Sequence, residues 1–459
     1  MFYELPPTAA PIRFSDYIKS VFNNKKICVE EITGHLKKFL NVKHISFVSS
    51  GRSALTMIIK VLSKLLNDEK GEIIMPAYTC YSVAASIEKA GKSIVLCDIN
   101  QDRYGYDLNR LKETITQDTL AVVVPHFCGI EANIDGVKKV IGDRKIFIID
   151  DAAQGFGISY HGQKLGARGD VGFYSLGRGK NLTIGRGGII VTNNEKIAEI
   201  INKYFATEDT ENFEVINEYK VRHREEVVNS TKRSQYQRLL PSFAKASEDK
   251  VLRSFSAVGH PAFGGIRNDK LSKRWFYQII DHIELLALIF FMNPFCYWFV
   301  KRMPFLKIGV TEYSTNFQTK ALSMSKVSLL SNIFYKLDVY NNHRVILCKK
   351  YLDYFLDVNG IQIPKMDEDD DKGLLRFPIL MEDITKRDKV LKELHRLGVG
   401  TYYPEPIHKI PQLDNYGFNR AEYQNSEYVA EHLVTLPTHP LVNEKIQLRI
   451  MDSIANIVK

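Results

Sequence analysis

The sequence predicts an α/β protein with a large mixed-sheet domain over residues 1–205, an inserted polar and hydrophobic segment over 206–310, and a small C-terminal α/β domain introduced by a long helix over 311–459. Three observations carry this reading. Between residues 44 and 194, short apolar runs alternate with amphipathic stretches, the pattern of strands separated by crossover helices. Residues 206–272 are polar and charged with no steady period, as expected of a poorly ordered insertion. Beyond residue 311 a helical period returns, followed by strand and helix in alternation.

Each element follows from local pattern. Strands are expected at His44–Val48, Glu72–Met75, Ser93–Cys97, Leu120–Pro125, Lys145–Asp150, Val171–Ser175 and Gly188–Thr192. Helices are expected at Arg52–Leu66, Tyr81–Ala90, Leu108–Thr114 and Ile134–Ile141. Val327, Leu330, Ile333, Phe334, Leu337 and Val339 recur near helical spacing and predict one long helix over 326–356. A strand, a helix over Asp383–Leu397, an irregular Pro-rich stretch and a last helix over Asn443–Val458 complete the chain.

The inserted segment ends in an apolar stretch. Trp275–Ile280, Leu285–Met292 and Phe295–Val300 are divided by Pro294 and closed by Lys301 and Arg302. Neither half reaches the roughly 20 residues that a spanning helix requires. Both tryptophans lie here beside basic residues, so a hairpin lying in a membrane surface is one expectation. The other is a hairpin packed on protein.

Composition excludes several classes. A chain of 459 residues with 45% hydrophobic and 25% charged residues has ordinary globular composition. The net charge of +9 is spread along the chain and interleaved with acids, so nucleic acid is not an expected partner, whereas anionic small molecules or lipids are. The six cysteines are far apart and form no metal-ligand spacing, which predicts reduced thiols and no metal site. Met1–Pro7 lacks a basic stretch followed by an apolar one, so a cytoplasmic location is expected, with membrane association through residues 275–305 as the variant.

Candidate chemistry rests on three elements in order. Ser49-Ser50-Gly51-Arg52-Ser53 stands between a strand and a helix, where backbone N–H groups and the helix terminus can receive an anion. Asp150-Asp151 with Gln154 ends an apolar strand, where an acid points into the ligand crevice of such sheets or caps a helix. Ser175 and Lys180 lie in a Gly-rich loop between two strands, where a lysine can be desolvated for Schiff-base chemistry.

With these motifs in place, the chain resembles the DegT/DnrJ/EryC1/StrS family of pyridoxal-phosphate (PLP) sugar aminotransferases, of PLP fold type I. The resemblance lies in Ser50–Leu55, Met75–Thr79, Val95–Ile99, Pro125–Gly129, Asp151–Gln154, Gly169–Ser175, Lys180–Leu182, Gly187–Gly188, Tyr402–His408 and Leu436–Pro440. It implies that Lys180 bonds the PLP aldehyde and moves the proton. It also implies that Asp151 faces the pyridine nitrogen, that Gln154 contacts the ring hydroxyl, and that Gly51, Arg52 and Ser175 hold the phosphate. The substrates implied are an amino-acid donor, glutamate, and a keto group on a nucleotide-linked deoxysugar of glycan biosynthesis, with a homodimer as the working unit. Lys180, where some relatives carry histidine and dehydrate, implies transamination.

Three departures from the family pattern stand out. Cys80 occupies the position of a ring-stacking aromatic, which Tyr81 or Tyr78 could replace. Asn316–Ser323 does not align cleanly with the stretch that usually crosses to the partner subunit. Arg186 replaces the acid common in the glycine loop and Arg178 is an extra base beside Lys180, both placed either to meet a substrate anion or to lie in solvent. His126 reads as a structural histidine, and His408 as a candidate substrate contact or a packed ring. Two further classes stay open: a PLP-binding regulatory or scaffold protein without turnover, and a transaminase acting on a membrane-proximal sugar.

Overall fold

The computed structural model describes residues 3–208, 280–290, 292–302, 312–367 and 373–459. The polar stretch over 206–272 therefore lies outside the described residues except for its first three positions.

The N-terminal part comprises α1 (Phe14–Phe22), α2 (Lys25–Leu40), β1 (His44–Val48), α3 (Gly51–Leu65), β2 (Glu72–Pro76), α4 (Tyr81–Lys89), β3 (Ser93–Cys97) and α5 (Leu108–Thr114). It continues with β4 (Thr119–Pro125), α6 (Ile134–Ile141), β5 (Phe147–Asp151), a small hairpin of β6 (Ser159–Tyr160) and β7 (Gln163–Lys164), β8 (Val171–Ser175), β9 (Gly188–Thr192) and α7 (Glu195–Glu208). All seven expected strands form, within two residues at their ends, and join one sheet in the order β1-β9-β8-β5-β4-β2-β3. β4 is buried at every position and β9 likewise, as strands covered on both faces must be.

Only β9 runs against the rest. It pairs antiparallel with both β1 and β8, whereas β8, β5, β4, β2 and β3 pair in parallel. The carboxyl ends of β1, β8 and β5 consequently share one edge of the sheet, the edge at which sheets of this kind receive ligands.

Register brings the first and third motifs together. Gly188 pairs with Val48 on one side and Ser175 on the other. A Cβ on Gly188 would lie 2.6 Å from the Ser50 carbonyl oxygen, so only glycine lets the turn into α3 approach so closely.

After the undescribed stretch come α8 (residues 280–290) and α9 (Pro294–Val300), with Asn293 capping α9 through Phe295 N–H. Residues 281–302 belong to the same compact unit as the sheet. Among the described residues no helix is long and apolar enough to cross a membrane.

The helix expected over 326–356 is interrupted. It divides into α10 (Met324–Ile333) and α11 (Lys336–Phe355). At the joint, Leu337 N–H bonds Phe334 O, a tighter i to i+3 turn, while the Phe334 ring packs between Phe39 and Phe156. The turn rotates the stripe, so Val339 is exposed and Tyr340, Arg344, Leu347 and Tyr351 are buried instead.

The C-terminal part is a three-stranded antiparallel sheet of β10 (Ile361–Gln362), β11 (Arg376–Met381) and β12 (Leu433–Pro437). Around it lie α12 (Ile384–Leu394), α13 (Gln424–His432) and α14 (Glu444–Val458). Asp98, just past β3, accepts from the N–H groups of Asn425 and Ser426 and so ties the start of α13 to the large sheet.

Candidate active site

The three sequence motifs meet at the shared sheet edge. Ser50 caps α3 by accepting from Ser53 N–H at 3.0 Å, which leaves the N–H groups of Gly51 and Arg52 at the positive end of the helix. A Cβ on Gly51 would stand 3.1 Å from Ser175 Cβ and 3.3 Å from its hydroxyl. Gly51 and Ser175, 124 positions apart in the chain, therefore form one notch lined by N–H groups and a hydroxyl, suited to a phosphate. Gly51→Ala should fill that notch. Cofactor affinity is expected to fall roughly tenfold, about 1.4 kcal/mol, with little change in Tm; a spectroscopic titration of the cofactor-free protein checks it.

Asp151 closes β5 and is buried, accepting from Ala153 N–H at 2.9 Å. Burial pushes its carboxyl up to about 6, against the pull of that N–H, of Lys180 and of His126. Lys180 is half-buried, near enough to act on both Asp151 and Cys128. The site thus pairs a desolvated acid with an amine, as a cofactor that must be held protonated at one end and bonded at the other requires. These residues fit pyridoxal phosphate.

Gln154 is fixed from both ends. Its Oε1 accepts from Cys128 N–H at 2.8 Å and its Nε2 donates to the Tyr403 hydroxyl at 2.8 Å. Tyr403 is the residue that sequence reasoning left out of the site. It stood inside the Tyr402–His408 motif, but its meeting with Gln154 spans the two sheets.

Tyr78 and Tyr81 are both committed to that same segment. The Tyr78 hydroxyl donates to Tyr403 O at 3.1 Å, and the Tyr81 hydroxyl donates to Glu405 O at 2.9 Å while accepting from Glu405 N–H at 3.0 Å. Their rings pack on Tyr403 at 5.7 and 6.4 Å. Cys80 caps no group of α4, and its thiol receives the Ser82 hydroxyl.

The remaining candidates separate. Arg178 is exposed. Arg186 is also exposed but pairs with Glu284 of α8 at 2.6 Å, which links the lysine loop to the apolar hairpin. His408 is buried, bonded through Nε2 to Glu427 at 3.0 Å and stacked on Tyr423 at 4.8 Å; burial holds its pKa below the usual value. His126 is buried with both ring nitrogens bonded: Nδ1 accepts from Ala132 N–H, so Nε2 carries the proton and donates to Asp150 at 2.7 Å.

Behind the lysine loop lies a residue that no motif announced. Arg344 is fully buried and donates to Asn341 Oδ1 at 3.0 Å, to Asn181 O at 3.3 Å and to Ala9 O at 3.5 Å. Burial lowers its pKa to about 10. It pins the backbone immediately after Lys180 to α11 and to the N-terminal strap.

The DegT/DnrJ/EryC1/StrS aminotransferase family matches residues 16–217 and 318–455, leaving the intervening stretch unmatched. An uncharacterized protein of Methanocaldococcus jannaschii is 22% identical over 395 residues, covering 85% of this chain and 80% of its own. GDP-perosamine synthase of Vibrio cholerae is 28% identical over 171 residues, which cover 37% of this chain and only 46% of that enzyme. Helicobacter pylori PseC, an aminotransferase involved in the biosynthesis of pseudoaminic acid, superposes with a TM-score of 0.67 at 16% identity, covering 99% of each chain. That likeness establishes the fold.

Proposed function

The chain belongs to the DegT/DnrJ/EryC1/StrS aminotransferase family, and from that premise we propose that it moves an amino group from glutamate onto a keto group of a nucleotide-linked deoxysugar, for a cell-surface polysaccharide or related glycan. The observation that carries this is the convergence at one sheet edge of the α3 terminus, a buried acid with a raised pKa, and a lysine loop. The sugar class follows from relatives such as GDP-perosamine synthase.

Pyridoxal phosphate, when bound, supplies the electron sink for the carbon that gives up its proton. The notch at Gly51, Arg52 and Ser175 would hold its phosphate by N–H and hydroxyl donation. Asp151 would keep the pyridine nitrogen protonated, since a buried carboxylate gains most by facing a cation. Gln154, locked by Cys128 and Tyr403, would present its amide to the ring hydroxyl in one orientation. Lys180 would hold the aldehyde end of the cofactor, and its amine is the group placed to take and return the proton at the reacting carbon. A lysine here, rather than the histidine of the family's dehydratases, supports transamination. Tyr81 and His408, next to Glu405 and Glu427, would border the sugar side.

The test is direct. Borohydride reduction of the PLP-loaded protein should leave a pyridoxyl group on the peptide containing Lys180, and glutamate alone should convert the bound cofactor to its amine form. No adduct would sink the cofactor reading. An adduct that no amino acid converts would favour a regulatory or scaffold protein.

A homodimer belongs to the same reading, because the family builds each site at a subunit interface. So does a peripheral membrane contact through 275–305, which the exposed Phe295 and Phe299 of α9 support.

A further inference from the structure

The apolar hairpin does not stand alone on the surface. The Tyr17 hydroxyl of α1 meets His282 Nδ1 of α8 at 3.3 Å, and the two rings pack edge to face. Lys25, at the start of α2, lies close enough to His282 to disfavour its charge, so the first turn of α2 adjoins the same place. α8 itself is anchored inward: Leu285 and Leu288 are buried, Glu284 pairs with Arg186, and Asp281 and Glu284 both pair with Lys326 at 3.0 Å.

The outward faces are apolar on both helices. α1 presents Phe14, Ile18 and Phe22 at successive four-residue steps, with Phe14 57% and Phe22 74% exposed. α8 presents Ile283, 60% exposed, and Leu286; α9 adds Phe299 at 56%. Single exposed apolar residues need no explanation, but aromatic stripes on adjoining helices do.

The acids of α8, Asp281 and Glu284, are paired with Lys326 and Arg186, and on α1 and the first turn of α2 the exposed charge is basic up to Glu30 and Glu31 in the next turn. Arg13, Lys19, Lys25 and Lys26 punctuate the stretch from Arg13 to Val29, in which Asp16 is the sole acid. Asp16 is buried against Lys336 and presents no charge outward. Lys301 and Arg302, the basic residues expected to flank the hairpin at a headgroup boundary, instead engage the buried Glu4. The basic rim therefore comes from α1 and α2 and not from the end of the hairpin.

We infer that α1, the first turn of α2 and the hairpin α8–α9 form one docking face for an anionic lipid bilayer surface. Apolar side chains enter the headgroup boundary while Arg13, Lys19 and Lys25 meet lipid phosphates. A second copy of the chain suits this face less well, because a two-fold contact would set the same basic rim against itself. The inference deepens the membrane contact proposed above and does not depend on the transferase reading. Its consequence is that α8, which holds Arg186 of the lysine loop, sits between the bilayer and the active site.

Full-length PLP-loaded protein should be sedimented with vesicles of phosphatidylcholine alone and with vesicles containing phosphatidylglycerol. Binding is expected to the anionic vesicles, and to weaken with added salt. Lys19→Gln with Lys25→Gln should lower the partition coefficient roughly 25-fold, at about fivefold per charge. Phe14→Ser with Phe22→Ser and Ile283→Ser, all on exposed positions, should abolish binding while the visible cofactor band is retained as a check on folding. Protein that stays in the supernatant with both vesicle types overturns the inference, as do variants that bind like the wild type. Dissociation of a dimer by the serine variant, seen by sedimentation velocity without vesicle binding, assigns the face to a second copy and also overturns it. Transamination measured without vesicles reports separately on the function proposed above.

Discussion

Lys180→Ala is expected to reduce turnover with glutamate by roughly four orders of magnitude or more, because one amine is asked both to bond the cofactor aldehyde and to move the proton. The cofactor should nevertheless remain bound. The notch at Gly51 and Ser175 and the carboxylate of Asp151 do not depend on the lysine side chain. Separation of binding from turnover is thus the signature to look for: the variant copurifies with cofactor, releases it intact on denaturation, and yields no adduct after borohydride. A small primary amine added to the variant should restore part of the proton-transfer rate, since it can take the place of the lost amine. Arg178→Ala is the internal control. That side chain is exposed, and its loss should change turnover by less than roughly tenfold, in line with the modest worth of a surface charge. An adduct that persists on another lysine after Lys180→Ala would remove Lys180 from its role.

The strands around the site were legible because each is a short run, buried at all but at most one terminal position and bounded by turn residues, and such a strand carries its signal within five to seven residues. The motifs Gly51, Asp151 and Lys180 were legible because they sit at strand ends, where chain order and sheet position are tied. What joins distant segments was not. Tyr403 reaches Gln154 across 249 positions, and nothing within either stretch announces the bond. Arg344 looks like any arginine on an amphipathic helix, and its burial behind Asn181 depends on the turn at Phe334 that the apolar period did not predict. Arg186 read as a candidate for a substrate anion, but its partner Glu284 comes from the hairpin, whose packing could not be deduced from hydropathy alone.

Asp151→Asn should act in opposite directions on the empty and the loaded protein. Burial raises the Asp151 carboxyl from 3.8 to about 6, so between those values the folded state holds a proton that the unfolded chain has released. Folding then binds protons, and stability falls as pH rises through this window. Above about pH 6 the cost is complete at roughly 3 kcal/mol, and below about pH 4 it vanishes. Cofactor-free Asp151→Asn should therefore exceed the wild type in unfolding free energy at pH 8 and match it at pH 4, as urea titrations at the two pH values would show. With PLP bound the order reverses. The carboxylate would then balance the positive charge of the ring nitrogen, which asparagine could not, so turnover should drop by at least roughly a hundredfold. Because Lys180 is among the groups pulling the Asp151 pKa down, Lys180→Ala should widen the pH window of instability in the empty protein upward. Equal stability of wild type and Asp151→Asn at both pH values would mean that the carboxylate is not desolvated, and the case for its pairing with the pyridine nitrogen would fall with it.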